Sequence, residues 1–178
     1  MLRLILHAGA RAFERRYSYD SGYMHEVIST TAKAGLGLAL FPALVQYRGP
    51  KRAVPVWAGA TLASTMDGDC GSCAQLVLDM AVEHGANPDH LRACLKADWA
   101  AAGGEGLGYR FAVAAILDAP GVDDLAAEIR SQYGRKALTA AAFGAASGRF
   151  YPVLKRGLGH AQTCQRLRIK GKMVLVGA

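Results

Sequence analysis

The stretch MDGDCGSCAQLVLDMA, residues 66–81, sets Cys70 and Cys73 three positions apart, just behind Asp67 and Asp69 and just ahead of an apolar run. Thiols at that spacing can cycle between dithiol and disulfide, supply half of a metal site, or pack as small hydrophobes. Asp67 or Asp69 is expected to cap a helix by accepting its free backbone N–H groups. Cys70 then falls in the first turn, with Cys73 one turn on along the same face. The positive end of the helix dipole favours a thiolate there, while the two carboxylates oppose it. The dipole is expected to win narrowly, because a capping carboxylate is partly neutralised by its own hydrogen bonds. Gly71 and Ser72 put little bulk between the sulfurs, so a disulfide can close with local adjustment, and Leu76, Val77, Met80 and Ala81 anchor the helix behind them. A redox pair is the expectation.

The metal alternative joins Cys70-x2-Cys73 to His90-x3-Cys94, four ligands at zinc-like spacing. Against it, the intervening residues read as one helix of about 20 Å or more at 1.5 Å per residue, which separates its ends. His7, His84 and His160 are dispersed and add nothing to the set. There is no GxGxxG and no Walker loop, so the only redox group expected is the disulfide itself, with no metal and no organic cofactor.

The elements that must position the pair read as helices, because 3.6-residue apolar periods recur and strict alternation is nearly absent. Helices are expected over about 2–16, 25–46 (interrupted near Pro42), 55–66, the cysteine segment up to HGANP, a stretch opened by Pro88, 106–118, 122–133, and a long alanine-rich 134–159. Gly85 reads as a helix C-cap. Only the tail, with RLRI and KMVLV around Lys170-Gly171, reads as extended. The prediction is one all-α domain over 1–178 with six to eight helices and an extended basic tail at 165–178.

The 178 residues carry 52% apolar and 20% charged side chains, a globular balance. The start, MLRLILHAGARAFERRY, suits an amphipathic helix better than a signal or transit segment. AGLGLALFPALV is apolar for only 12 residues, too short for a membrane span. Four cysteines without a signal segment point to a reducing, cytoplasmic setting. Charge is uneven: residues 1–128 hold 11 basic and 14 acidic side chains, and residues 129–178 hold ten basic and none acidic. The tail lacks the aromatic interleaving of a single-strand platform, so nucleic acid is not the expected partner. A solvated basic face, or one meeting the acidic half of a neighbouring subunit, is.

With CxxC at a helix start in an all-α chain, residues 23–160 resemble the AhpD-like superfamily, which includes alkylhydroperoxidase D and carboxymuconolactone decarboxylase. The resemblance runs through VWAGATLASTMDGDCGSCAQLVLDMA, GANPDHLRACL, LGYRFAVAAILDAPGVDDLAAEIR and FGAASGRFYPVLKRGLG. It implies a six-helix core, a homo-oligomer and a Cys70–Cys73 pair that reduces peroxide with electrons from a small dithiol or dithiol protein. The peroxidase members carry CxxCxxxH with a glutamate about a dozen residues earlier. Here those two positions are Val77 and Ala58, so only the cysteines carry over and peroxidase activity is expected to be weak. The resemblance favours Cys73 as the attacking sulfur, and dipole proximity favours Cys70. Asp69, Tyr19, Asp20 and Tyr23 are candidates to support the site, with Tyr151, His160 and Cys164 further ones. The rival from another class is a binding or scaffold protein that keeps the fold without the relay and presents its basic C-terminal face to an anionic partner.

Overall fold

A computed structural model describes residues 1–160 and 166–175. In chain order these form α1 (Leu2–Tyr17), α2 (Gly22–Thr30), α3 (Ala32–Val45), a short 3-10 turn (Lys51–Ala53), α4 (Val54–Asp67), α5 (Gly71–Glu83), α6 (Pro88–Leu95), α7 (Gly103–Leu117), α8 (Val122–Tyr133), α9 (Arg135–Ser147), α10 (Phe150–Gly157), and the hairpin β1 (Arg166–Ile169) and β2 (Lys172–Leu175). The chain is predominantly helical, as its periodicity predicts.

Helix α4 is the axis. Its residues are apolar or small on every face, and a helix of that kind is stable only when enclosed; Val56, Trp57, Ala58, Ala60 and Leu62 are all buried. It lies between α7 and α9. The α4–α7 crossing is backbone against backbone: a methyl on Gly59 would overlap the Glu105 carbonyl, and one on Gly108 would overlap the Val56 carbonyl. Glycine is therefore required at this crossing for space. On the α9 side, Ser64 Oγ donates to the Ala145 carbonyl (2.6 Å) and Thr65 Oγ1 to the Gly148 carbonyl (3.2 Å). Two carbonyls at the end of α9 thus find donors across the interface.

Those bonds bear on a correction. The expected helix over 134–159 is two, α9 and α10, broken at Gly148–Arg149. A Cβ on Gly148 would sit 2.7 Å from Ser64 Cβ and 2.8 Å from the Thr61 carbonyl, so the chain turns where it touches α4. Pro152, in the first turn of α10, needs no hydrogen-bond partner there. The second expected helix is also two. It breaks at Thr31, which is extended (φ −155°, ψ 132°) and caps α3 by accepting from Lys33 N–H (3.3 Å). Pro42, the expected interruption, stays inside α3.

Gly85 does close α5 at φ 96°, with Ala86 N–H donating back to the Ala81 carbonyl. The extended tail is a hairpin whose two turn residues, Lys170 (φ 45°) and Gly171 (φ 77°), both lie at positive φ, the geometry a two-residue turn needs. Gln75 of α5 grips its first strand, accepting from Arg168 N–H (2.7 Å) and donating to the Arg168 carbonyl (2.8 Å). Leu167, Ile169 and Val174 are buried beneath it. Among the described residues no helix is long and apolar enough to cross a membrane.

Candidate active site

Cys70 is the N-cap residue of α5, in extended conformation (φ −133°, ψ 99°). Cys73 follows in the first turn. Both are buried, and their sulfurs lie 2.8 Å apart, within hydrogen-bonding reach. Neither aspartate caps the helix, contrary to expectation. Asp67 closes α4 and pairs with Arg149 (2.7 Å), and Asp69 takes a left-handed turn (φ 51°) that swings the chain from one helix into the next. The carboxylates that opposed a thiolate on paper are thus occupied elsewhere or exposed.

The sulfurs have other neighbours. Ser72 Oγ lies 3.4 Å from Cys70 Sγ and accepts a hydrogen bond from Lys155 Nζ (3.0 Å). Lys155 comes from α10 and is 1% exposed, with its ammonium 4.8 Å from the Tyr19 ring centroid and 5.4 Å from that of Tyr23. Among the described residues no carboxylate lies within ion-pair distance of it. A buried cation requires an anion or an equivalent set of dipoles, and the Cys70–Cys73 pair, whose first charge Lys155 favours, can become one. On the other side, Tyr19 Oη is 3.5 Å from Cys73 Sγ.

These contacts split the two thiols. Once Cys70 is ionised, the one S–H left between the sulfurs is that of Cys73, and its hydrogen bond holds Cys70 at about 5, against burial, with smaller help from the Ser72 hydroxyl, the Cys73 amide and Lys155. Cys73, giving that bond and buried, is pushed well above the ordinary thiol range. The pair shares one proton and titrates as a unit, with its first negative charge on Cys70. Tyr19 and Tyr23 are also pushed up, chiefly by burial, and Tyr151 is raised to about 12 by burial and then by Cys73. All three phenols stay protonated at neutral pH.

Of the expected support residues, the structure brings Tyr19, Tyr23 and Tyr151 to the sulfurs and leaves others out. Ser18 at φ 48° ends α1 in the left-handed region, which turns Tyr19 inward. Asp20 is exposed and accepts from Gly22 N–H (2.9 Å). His160 pairs with Glu26 (2.6 Å), and Cys164 lies outside the described residues. His90 pairs with Glu105 (2.9 Å), Cys94 is buried in the main core cluster, and no group of three or more His, Cys, Asp or Glu side chains comes together among the described residues. Ser72 and Lys155 were not foreseen. Ser72 could have been suspected from its place between the cysteines. Lys155 could have been flagged as four residues beyond Tyr151 on a helix face that also carries Pro152.

Cys73 stands in the wall of a partly open cavity of about 550 Å³ bordered by α1–α3 on one side and by α4, α5 and the junction of α9 with α10 on the other. Val77, at the position where the resemblance would place histidine, is another wall residue, and Ala58, at the glutamate position, is fully buried. The cavity is overwhelmingly apolar, so water is a poor competitor in it. Compared with protein-family models, with curated proteins and with solved structures, the chain matches none of them.

Proposed function

We propose that this chain is a thiol-dependent oxidoreductase of the alkylhydroperoxidase type, an AhpD-like homo-oligomer that cycles Cys70 and Cys73 between dithiol and disulfide. The observation that carries the reading is the wiring of the pair: two buried sulfurs 2.8 Å apart at the start of a helix, with a buried lysine reaching the first through Ser72. Structural cysteines have no use for an unpaired buried cation beside them.

The Cys70 thiolate attacks a peroxide oxygen and the O–O bond breaks. Cys70 becomes a sulfenic acid, and the departing alkoxide takes the proton that Cys73 had been donating. Cys73, now the thiolate, attacks the Cys70 sulfur, forming the S–S bond and expelling hydroxide, which is protonated to water from Lys155 through Ser72. A dithiol reductant then exchanges with the disulfide, restores both thiols and leaves as its own disulfide. In sum, a hydroperoxide and a dithiol become an alcohol, water and a disulfide. Cys73 and the Lys155–Ser72 pair stand in for the histidine and glutamate that this chain lacks, which supports a slower peroxidase than a full relay gives.

The test is thiol titration before and after hydrogen peroxide. Loss of two reactive thiols, reversed by dithiothreitol and accompanied by a two-dalton mass loss in the peptide holding Cys70 and Cys73, supports the reading. Two thiols that stay reduced under excess oxidant would falsify it and leave the scaffold in its place; zinc bound tightly at the pair would install the metal reading.

A further inference from the structure

The cavity is longer than a peroxide requires, and one of its walls runs along a single face of α5: Cys73, Leu76, Val77 and Met80. His84 caps that helix, eleven residues beyond Cys73 and therefore about 16 Å along the axis at 1.5 Å per residue. At that far end stands Arg48, itself a wall residue. Its guanidinium lies over the Trp57 ring (5.1 Å to the centroid), and its Nη1 donates to His84 Nε2 (2.5 Å) and its Nη2 to Gln46 Oε1 (3.2 Å). The tautomer follows from the other ring nitrogen: His84 Nδ1 meets the Met80 carbonyl (2.7 Å), which can only accept, so Nδ1 carries the hydrogen and Nε2 is the acceptor.

Arg48 is therefore fixed in place by neutral groups. Its Nε is buried with no hydrogen-bond partner, and among the described residues no carboxylate is within ion-pair distance. The nearby carboxylate that could serve, Glu83, is held instead by Arg16 and by Tyr17 Oη (2.8 Å). Burial lowers the Arg48 pKa, and Tyr17 and Glu83 nearby offset it only in part. An unpaired guanidinium at one end of an apolar channel is complementary to a molecule with an anionic head and an aliphatic body. The planar fork suits a carboxylate.

We infer that this cavity binds a long-chain carboxylate, its head on Arg48 and its chain laid along α5 toward Cys73. The volume falls within the range of about 300–1,000 Å³ typical of small-molecule sites. The span between the ends matches an extended alkyl chain of roughly a dozen carbons at about 1.3 Å per step. The inference does not depend on the cysteine chemistry. Where both hold, the peroxide reduced at the Cys70–Cys73 pair is borne on such a chain.

The experiment titrates the full chain with the fluorescent polyene cis-parinaric acid and competes it with dodecanoate, its methyl ester and dodecanol. Dodecanoate is expected to displace the probe at a concentration at least about tenfold lower than the ester or the alcohol, since each loses the charge-assisted hydrogen bonds. Arg48→Leu should erase that difference while leaving the alcohol's affinity unchanged, and Val77→Trp should abolish binding of all three by filling the channel. A chain that takes up no probe, or one that binds acid, ester and alcohol equally, overturns the inference without requiring any variant. The double variant Cys70→Ser/Cys73→Ser should still bind dodecanoate although it cannot be oxidised, which separates failure of this site from failure of the redox reading.

Discussion

The Cys73 hydrogen bond chiefly sets the charge state of Cys70, with Lys155, buried beside the pair, adding a smaller push the same way, and the consequences can be measured at single residues. Ultraviolet thiolate absorbance should rise in a step centred near pH 5 that vanishes in Cys70→Ser. Removing the ammonium with Lys155→Met should move that step upward and slow peroxide turnover by about a hundredfold or more, the usual scale of a lost proton donor. A step that stays put would show that Lys155 is only packing. The stability consequence has a definite sign. Between about 5 and the ordinary value of 9.0 the unfolded chain binds a proton that native Cys70 has released, so stability rises with pH across that window and is lost as pH falls through about 5. Above it, Cys73 is protonated in the native state and ionised in the unfolded one, so stability declines again. Urea unfolding across this range should show a maximum that Cys70→Ser flattens. In turnover, Cys73→Ser should trap a sulfenic acid on Cys70, whereas Cys70→Ser should leave a sluggish thiol.

Among the helices, positioning rests on close approach. Gly59→Ala and Gly108→Ala each force the α4 and α7 backbones apart and are expected to destabilise the fold by about 1–3 kcal/mol or more. Gly37→Ala, on a helical face with nothing within 4 Å, should stabilise it by about 0.5–1 kcal/mol. Denaturant midpoints of the three variants compare them directly, and equal effects would refute the packing account. The start of α5 is positioned by the left-handed turn at Asp69 and by Arg156, which donates to the Gly68 carbonyl (2.5 Å). That bond and the Lys155–Ser72 bond both come from α10, so the helix that supplies the cation also holds the cysteine loop.

For the molecule as a whole, the outer faces of α1 and α3 leave Leu4 (71%), Ile5 (65%), Leu36 (39%) and Leu40 (51%) exposed. Apolar side chains grouped on two neighbouring helices favour burial against another copy, and light scattering should give a mass above the 18.8 kDa of the single chain. A particle of monomer mass at moderate concentration would sink the oligomer. The basic C-terminal third is less of a phosphate surface than its count of ten suggests. Lys155 is buried, Arg149 pairs with Asp67 and Arg156 bonds to a backbone carbonyl, so three of the ten are already engaged. Binding to DNA or RNA at about 0.15 M salt is expected to be weaker than micromolar, and an affinity tighter than that would contradict this distribution.

Much of the architecture could be read in the chain because helix periodicity and turn chemistry are local properties. The helix at 122–133, the Pro88 start, the Gly85 cap and the extended tail follow from residues close in sequence, and CxxC at a helix start is a local pattern too. The break at Gly148 was missed because contact with another helix decides it, Gly148 turning where it meets α4, whereas the break at Thr31 is a local cap, its hydroxyl accepting from Lys33 N–H, that the apolar pattern hid. The cysteine pair was legible, but its charge was not. An aspartate cap was the natural reading of DGDC, yet the chain takes a left-handed turn there, and the buried cation beside the pair arrives 82 positions after Cys73. Lys155 and Arg48 look like ordinary surface cations in sequence. Only the packing of α10 beneath the tyrosines takes Lys155 out of water, and the stacking of Arg48 on Trp57 and His84 half-buries its guanidinium; a charge acquires more influence where solvent screens it less.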